Sequence, residues 1–349
     1  MSVIDAVRRT GGEATVDRTA MWRSTGLVVG VVAVAGLAVL SLWVGAKPIP
    51  FGTVWQALVG TDAAGDAIVV RDSRVPRTIL AVLVGAALAV GGALIQSVTR
   101  NPLADPGLLG INSGAAFLVA VAVGLLGITS LHGYLWFAFA GAGIAAVVVY
   151  AVGSAGPSRG SPIRLTLAGV AVSALLTGVT TGLTLLDPDA FDEMRYWYAG
   201  AVAGRDMAVV TAVVPWIALG LVLVLVVSRT LNALALGDDT ARALGASVVR
   251  TRAISTVAVT LLCGAATAAA GPISFAGLMV PHIARRMVGP DRPWIMAYSL
   301  VGGAALVLLA DIVGRVAAPP GELPVGLLTA FFGAPVLIVL VRGAKAGGL

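Results

Sequence analysis

Apolar runs near the roughly twenty residues needed to cross a bilayer recur along the whole chain. They fall at 27–45, 78–98, 107–127, 134–153 and 165–186 in the first half, and at 209–227, 253–271, 274–288, 295–317 and 325–341 in the second. The pattern predicts an all-α polytopic membrane protein of ten transmembrane helices, occupying 27–349, with 274–288 the shortest span. Residues 1–26 carry Asp5, Arg8, Arg9, Glu13, Asp17, Arg18 and Arg23 and read as a retained polar tail. The first apolar run is longer than a signal-peptide core and lacks a small-residue cleavage site. The longest polar interruptions are that tail, 46–77 and 228–252.

Composition agrees with lipid as the main solvent. Hydrophobic residues make up 58% of the 349 and charged residues 11%, against roughly 25% in soluble domains. The 44 glycines suit helices that approach one another closely through small side chains. A calculated pI near 10.1 does not imply nucleic acid, because the bases are scattered singly or in short groups instead of forming one patch. Their distribution sets a topology. With the N-terminus inside, sixteen of the 23 Lys and Arg fall in inner segments and seven outside, which places both termini in the cytoplasm. Three of the outer seven, Arg71, Arg74 and Arg77, crowd into one segment before the second span.

Catalytic chemistry lacks parts. A phosphate-cradling loop ends in Gly-Lys-Ser/Thr, but Lys47 precedes Pro48 and Lys345 precedes Ala346, so the chain has no ATPase site of that kind. Two histidines, His132 and His282, and one cysteine, Cys263, cannot form an intrachain disulfide or a cysteine-cluster metal site. No catalytic residue, cofactor or metal is assigned to this chain. The outer acids Asp187, Asp189, Asp192 and Glu193 read as a solvated loop. Asp311 and Arg315 form an acid-before-base i, i+4 pair, which lowers the cost of placing either charge near lipid.

Several segments have a mechanical reading. Arg100-Asn101-Pro102-Leu103-Ala104-Asp105-Pro106 reads as a tight inner turn whose prolines bar a continuous helix, with Asn101 or Asp105 as cap. Gly271-Pro272 and Gly277 read as a reversal and a close helix contact. In the loop 231–247, Asp238, Asp239 and Thr240 can cap a short helix that Gly245 ends. This loop reads either as an amphipathic segment lying on lipid headgroups or as a contact for a cytoplasmic partner. Arg74, Arg77 and Arg315 read either as snorkelling anchors at the interface or as a docking site.

Four motifs in order carry a resemblance: Arg74-Val-Pro-Arg77-Thr78, Arg100 to Gly110, Gly271-Pro-Ile-Ser-Phe-Ala-Gly-Leu-Met-Val-Pro-His282, and Asp311-Ile-Val-Gly-Arg315 followed by Glu322-Leu-Pro324. From about Leu27 onward the chain resembles the FecCD/BtuC family of ABC importer permeases, which serve iron-siderophore, haem and cobalamin uptake. The resemblance implies the type II importer fold, a permease subunit of the cytoplasmic membrane, and a second permease subunit that is either a copy or a paralogue. It also implies two cytoplasmic ATPases holding ATP and magnesium, and an extracytoplasmic substrate-binding protein. Ferric siderophore is the expected cargo, with cobalamin or haem the alternatives and an ion-driven carrier the runner-up from another class. The family pattern makes Leu234, Leu236, Gly237, Asp238, Arg242, Leu244 and Gly245 the ATPase-coupling segment. It makes Arg74, Arg77 and Arg315 the binding-protein docking site, and Ser161, Pro162 and Ile163 an inner gate.

Overall fold

The computed structural model describes residues 3–45, 47–60, 65–155 and 162–346. In chain order the helices are α1 (Val3–Trp43), α2 (Phe51–Val59), α3 (Asp66–Ile68), a π-helical turn (Val69–Arg74), α4 (Val75–Thr99), a 3₁₀ turn (Pro106–Leu109), α5 (Ile111–Gly124) and α6 (Leu131–Ser154). There follow α7 (Pro162–Leu186), α8 (Pro188–Tyr198), α9 (Met207–Ser228), α10 (Thr230–Ala235), α11 (Asp238–Ala243), α12 (Val248–Ala270), α13 (Ala276–Val288), α14 (Arg292–Ala317) and α15 (Val325–Ala346). No strand occurs among the described residues.

All ten apolar runs lie on helices. Seven helices are long and apolar enough to cross a membrane, and Ile111–Gly124 and Val325–Val339 are shorter apolar helices. The run at 274–288 becomes α13, whose 13 residues rise only about 20 Å. The tail does not stop the first helix, since α1 is continuous from Val3 and its membrane-competent stretch is Ala20–Trp43.

Helix α4 is the axis of the bundle, buried from Leu80 to Val98 apart from a few partly covered positions, with α12, α13 and α14 packed around it. Glycines permit this closeness. A Cβ on Gly85 would stand 2.2 Å from the Gly303 carbonyl oxygen on α14, and one on Gly92 would stand 1.9 Å from that of Gly277 on α13. Side chains there would force the helices apart. In contrast, α1 and α7 are peripheral and turn much of their surface outward.

The segment between α12 and α13 is non-helical, and carbonyls of the last turn of α12 find donors outside the helix. Arg205 Nε donates to the Ala269 carbonyl at 2.9 Å, and Ala201 N donates to that of Ala270 at 2.7 Å. Phe275, at φ 67°, sits in the left-handed region as the N-cap of α13. Pro281 has no N–H, so the Gly277 carbonyl lacks its i+4 partner within α13. Gln96 of α4 supplies the missing donor, its Nε2 lying 3.3 Å from both the Gly277 and Leu278 carbonyl oxygens.

Candidate functional site

Two polar centres sit at opposite ends of the α4–α14 pair. At the first, Arg77 of α4 donates from Nε to the two Asp311 carboxylate oxygens at 3.0 and 3.1 Å, and from Nη2 to Oδ1 at 2.8 Å. Arg315 reaches the other side of that carboxylate, which realises the i, i+4 pair read from the sequence. Glu322 closes on Arg77 Nη1 at 2.7 Å. Three arginines with Asp311 and Glu322 leave one excess positive charge. Asp311 is 1% exposed and lies between two guanidiniums, the pairing that makes a carboxylate tolerable at this depth.

The remaining donors fasten α1. The last carbonyls of a helix have no partner within it, and the negative end of its dipole favours cations. Arg315 Nη1 donates to Ser41 O at 2.6 Å and Val44 O at 3.1 Å, while Arg74 Nη1 donates to Leu42 O at 2.9 Å and Trp43 O at 2.6 Å. Ser41 Oγ accepts from Arg315 Nη2 at 3.0 Å and pairs with Thr78 Oγ1 at 2.8 Å.

Arg74, Arg77 and Arg315, read as interface anchors or as a docking site, are 5%, 8% and 2% exposed and direct most of their donors inside the protein, while Arg315 Nε is buried without a partner among the described residues. The rim above them is polar. Lys47 pairs with Asp66, and Arg71 Nε donates to the Ala57 carbonyl at 2.5 Å.

The second centre is the α10–α11 loop. Gly237 joins the helices at φ 108°, ψ 157°, where a side chain would be strained. Asp238 makes no cap. Its carboxylate instead accepts from Arg100 at 2.7 Å and Arg252 at 3.0 Å, tying α11 to the ends of α4 and α12. Helix α11 closes in a Schellman motif, with Gly245 N donating to Arg242 O and Ala246 N to Ala241 O, both at 2.9 Å. Arg242 pairs with Asp239 at 2.8 Å on the exposed side.

Of the apolar residues expected to form one contact face, Leu236 and Leu244 are 65% and 66% exposed, but Leu234 is 1% exposed and packs inward. A tether absent from the sequence reading holds the loop to α14. Asn232 Nδ2 donates to Asp291 at 2.8 Å, and its Oδ1 accepts from Arg292 N at 2.9 Å. An Asn in a short helix facing an Asp-Arg helix start was the available signal.

Of the gate positions, Ser161 lies outside the described residues, Pro162 begins α7 and Ile163 is 72% exposed. Asp105 caps the 3₁₀ turn through Gly107 N at 2.8 Å, while Gly110 caps α5. His282, on α13, has a buried Nδ1 without a hydrogen-bond partner among the described residues. Of the four acids, Asp187 caps α8 and Glu193 accepts from Tyr134 at 3.0 Å, while Asp192 lies exposed beside Arg195. No group of three or more His, Cys, Asp or Glu able to hold a metal occurs among the described residues.

The described residues form a polytopic helical bundle with a buried arginine–aspartate cluster at one end and a short helical pair at the other. Residues 32–343 match the FecCD transport family, and the chain belongs to it. It is 49% identical over 309 residues to the ferric enterobactin transport system permease protein FepD of Escherichia coli, covering 88% of this chain and 92% of that one. It is 38% identical to the iron(3+)-hydroxamate import system permease protein FhuB of Bacillus subtilis, covering 95% and 88%. A solved structure, described as an inward-facing conformation of a metal-chelate type ABC transporter, superimposes with a TM-score of 0.80 at 27% identity, over 92% of this chain and 99% of that one.

Proposed function

We propose that the chain is the membrane-spanning permease subunit of an ABC importer for a ferric siderophore. The observation that carries the cargo is 49% identity, over 92% of its length, to a permease named for ferric enterobactin. In this reading both termini and the α10–α11 loop face the cytoplasm, as the positive-inside distribution favours. A second permease subunit, copy or paralogue, meets the chain along α7. This helix is largely exposed in the single chain, and nothing lies within 4 Å of where a Cβ on Gly178 or Gly182 would be. Ser161, Pro162 and Ile163 then stand at the inner end of the shared pathway as an uncharged gate that closes by excluding water.

Two cytoplasmic ATPases carry ATP and magnesium and seat the exposed Leu236 and Leu244 in a cleft. Asp238 passes their movement to α4 through Arg100 and to α12 through Arg252, and Asn232 passes it to α14. Helices α4 and α14 are locked together at Gly85 and Gly303, so displacement at the loop reaches Arg77 and Asp311 as a rigid-body shift. An extracytoplasmic binding protein docks over that end, where carboxylates on its lobes meet the excess positive charge and compete with Glu322 for Arg77. Such contacts guide orientation and on-rate more than affinity. Co-expression with the cognate ATPase tests the reading. The complex should purify intact and hydrolyse ATP, and loss of Leu244 to Asp should release the ATPase. A permease that transports with Leu244→Asp and bound ATPase would overturn it.

A further inference from the structure

We infer that α2 is an interfacial anchor, its outer face immersed in phospholipid at the headgroup–acyl boundary of the leaflet in which α1 ends. Although α2 lies in the polar interruption 46–77, none of its nine residues is charged. Its positions divide at helical spacing into three sides. Val54 and Ala57 are buried in a small core with Ile49, Ala67 and Val70, which Leu42 of α1 and Val75 of α4 border. Phe51, Trp55, Leu58 and Val59, at i, i+4, i+7 and i+8, form an exposed apolar stripe. Gly52, Thr53 and Gln56 take the third side, which carries the helix's polar groups. Four large apolar side chains in one stripe mark a surface that something apolar covers.

Continuity with α1 says what that is. The exposed side of the membrane-competent stretch Ala20–Trp43 runs through Val28, Val32, Val39 and Trp43. The Trp43 ring meets the Phe51 ring edge-on, with centroids 6.4 Å apart and planes at 87°, so the apolar stripe of α2 starts where that of α1 stops. The far end of α2 is held near the same level. Arg74 donates to the Trp43 carbonyl, and Arg71, three residues earlier on the π-helical turn, donates to the Ala57 carbonyl. Both ends of α2 are thus tied close to the end of α1, and the helix runs along the membrane boundary. Trp43 and Trp55 suit that depth, where an indole buries its ring and keeps its N–H wet. Lys47 pairs with Asp66, and a protein that docks through carboxylates would find no cation on the stripe itself.

The test uses the full-length chain with cysteine-free partner subunits in phospholipid nanodiscs. Cys263 is buried and escapes labelling, so one nitroxide can be placed through Trp55→Cys, Leu58→Cys or Gln56→Cys. Its collisions with oxygen, which partitions into lipid, are compared with those of a water-soluble nickel chelate. The oxygen-to-nickel ratio should be about fivefold higher at 55 and 58 than at 56, because an interfacial helix sinks its apolar face about 5–10 Å into the boundary. An added substrate-binding protein should leave all three ratios unchanged. Equal ratios at the three positions, or low access to both reagents at 55 and 58, would overturn the anchor. So would nickel access at 55 and 58 that the binding protein suppresses, which would hand the face to that protein. Gel filtration checks that each variant is folded, and a label-free measurement stands beside them. The emission that wild type has and Trp55→Phe lacks should be quenched by lipid brominated near the headgroup; a difference that bromination leaves untouched would overturn the anchor. None of these outcomes depends on the cargo or on which terminus faces the cytoplasm.

Discussion

Arg77 on α4 and Asp311 on α14 lie 234 residues apart and share three hydrogen bonds of 2.8 to 3.1 Å at the end of the bundle remote from Gly237. Breaking a buried pair leaves an uncompensated charge, which costs about 3–5 kcal/mol. Asp311→Ala strands Arg77 and Arg315 together and should lower the thermal unfolding midpoint in detergent by several degrees and reduce the yield of folded protein. Glu322, with its side chain 31% exposed, is a weaker partner. Glu322→Gln should cost about 1 kcal/mol or less. Equal destabilisation by the two changes, read by a thermal-shift assay, would refute the cluster's buried character.

The glycine contacts give a graded prediction. Gly92→Val would drive a side chain into the Gly277 carbonyl and Gly85→Val into that of Gly303, so both should abolish folding or uptake. Gly36, with nothing within 4 Å of its would-be Cβ, should accept Ala without loss. Membrane-inserted yield and uptake, measured together, decide this.

At the loop, Asp238→Ala should leave the ATPase bound, since Leu236 and Leu244 remain, while uptake per ATP hydrolysed falls at least tenfold because α4 and α12 lose their link to α11. Replacing Gly237 by Trp should instead weaken ATPase binding itself, as its φ of 108° disfavours any side chain. Pull-down and transport stoichiometry separate the two. An Asp238→Ala variant with unchanged stoichiometry would remove this residue from the coupling path.

Asp206 caps α9 by accepting Val209 N at 3.1 Å, and this bond, helped by His132 at 3.2 Å, holds its carboxyl below the usual carboxylate range. A depressed value stabilises the folded state above the unfolded value of about 3.9, and the gain is lost as pH falls through the lower folded value. The unfolding midpoint of Asp206→Ala should therefore trail wild type above about pH 5 and converge on it as pH falls below about pH 4. A gap that persists in strong acid would show that the cap does not depend on charge.

The helices were legible because a membrane span announces itself in twenty local residues, and even short α13 fell on its apolar run. The Asp311–Arg315 pair was legible for the same reason, being one turn apart. What could not be read was azimuth. Local sequence places Arg74, Arg77 and Arg315 at the membrane boundary, but whether they face solvent or the carbonyls ending α1 depends on a helix 30 or more residues away in sequence. Leu234 failed likewise, because a six-residue helix has too few positions to show which face is buried. The tethers Asn232–Asp291 and Asp238–Arg100 join segments 59 and 138 residues apart and leave no periodic trace.

The most direct test of the account is uptake of radioiron-labelled ferric siderophore by cells lacking this chain. Deletion should abolish ATP-dependent accumulation, wild-type protein should restore it, and Gly237→Trp should not. Undiminished ferric siderophore uptake in the deletion strain, with loss of cobalamin or haem uptake instead, would contradict it.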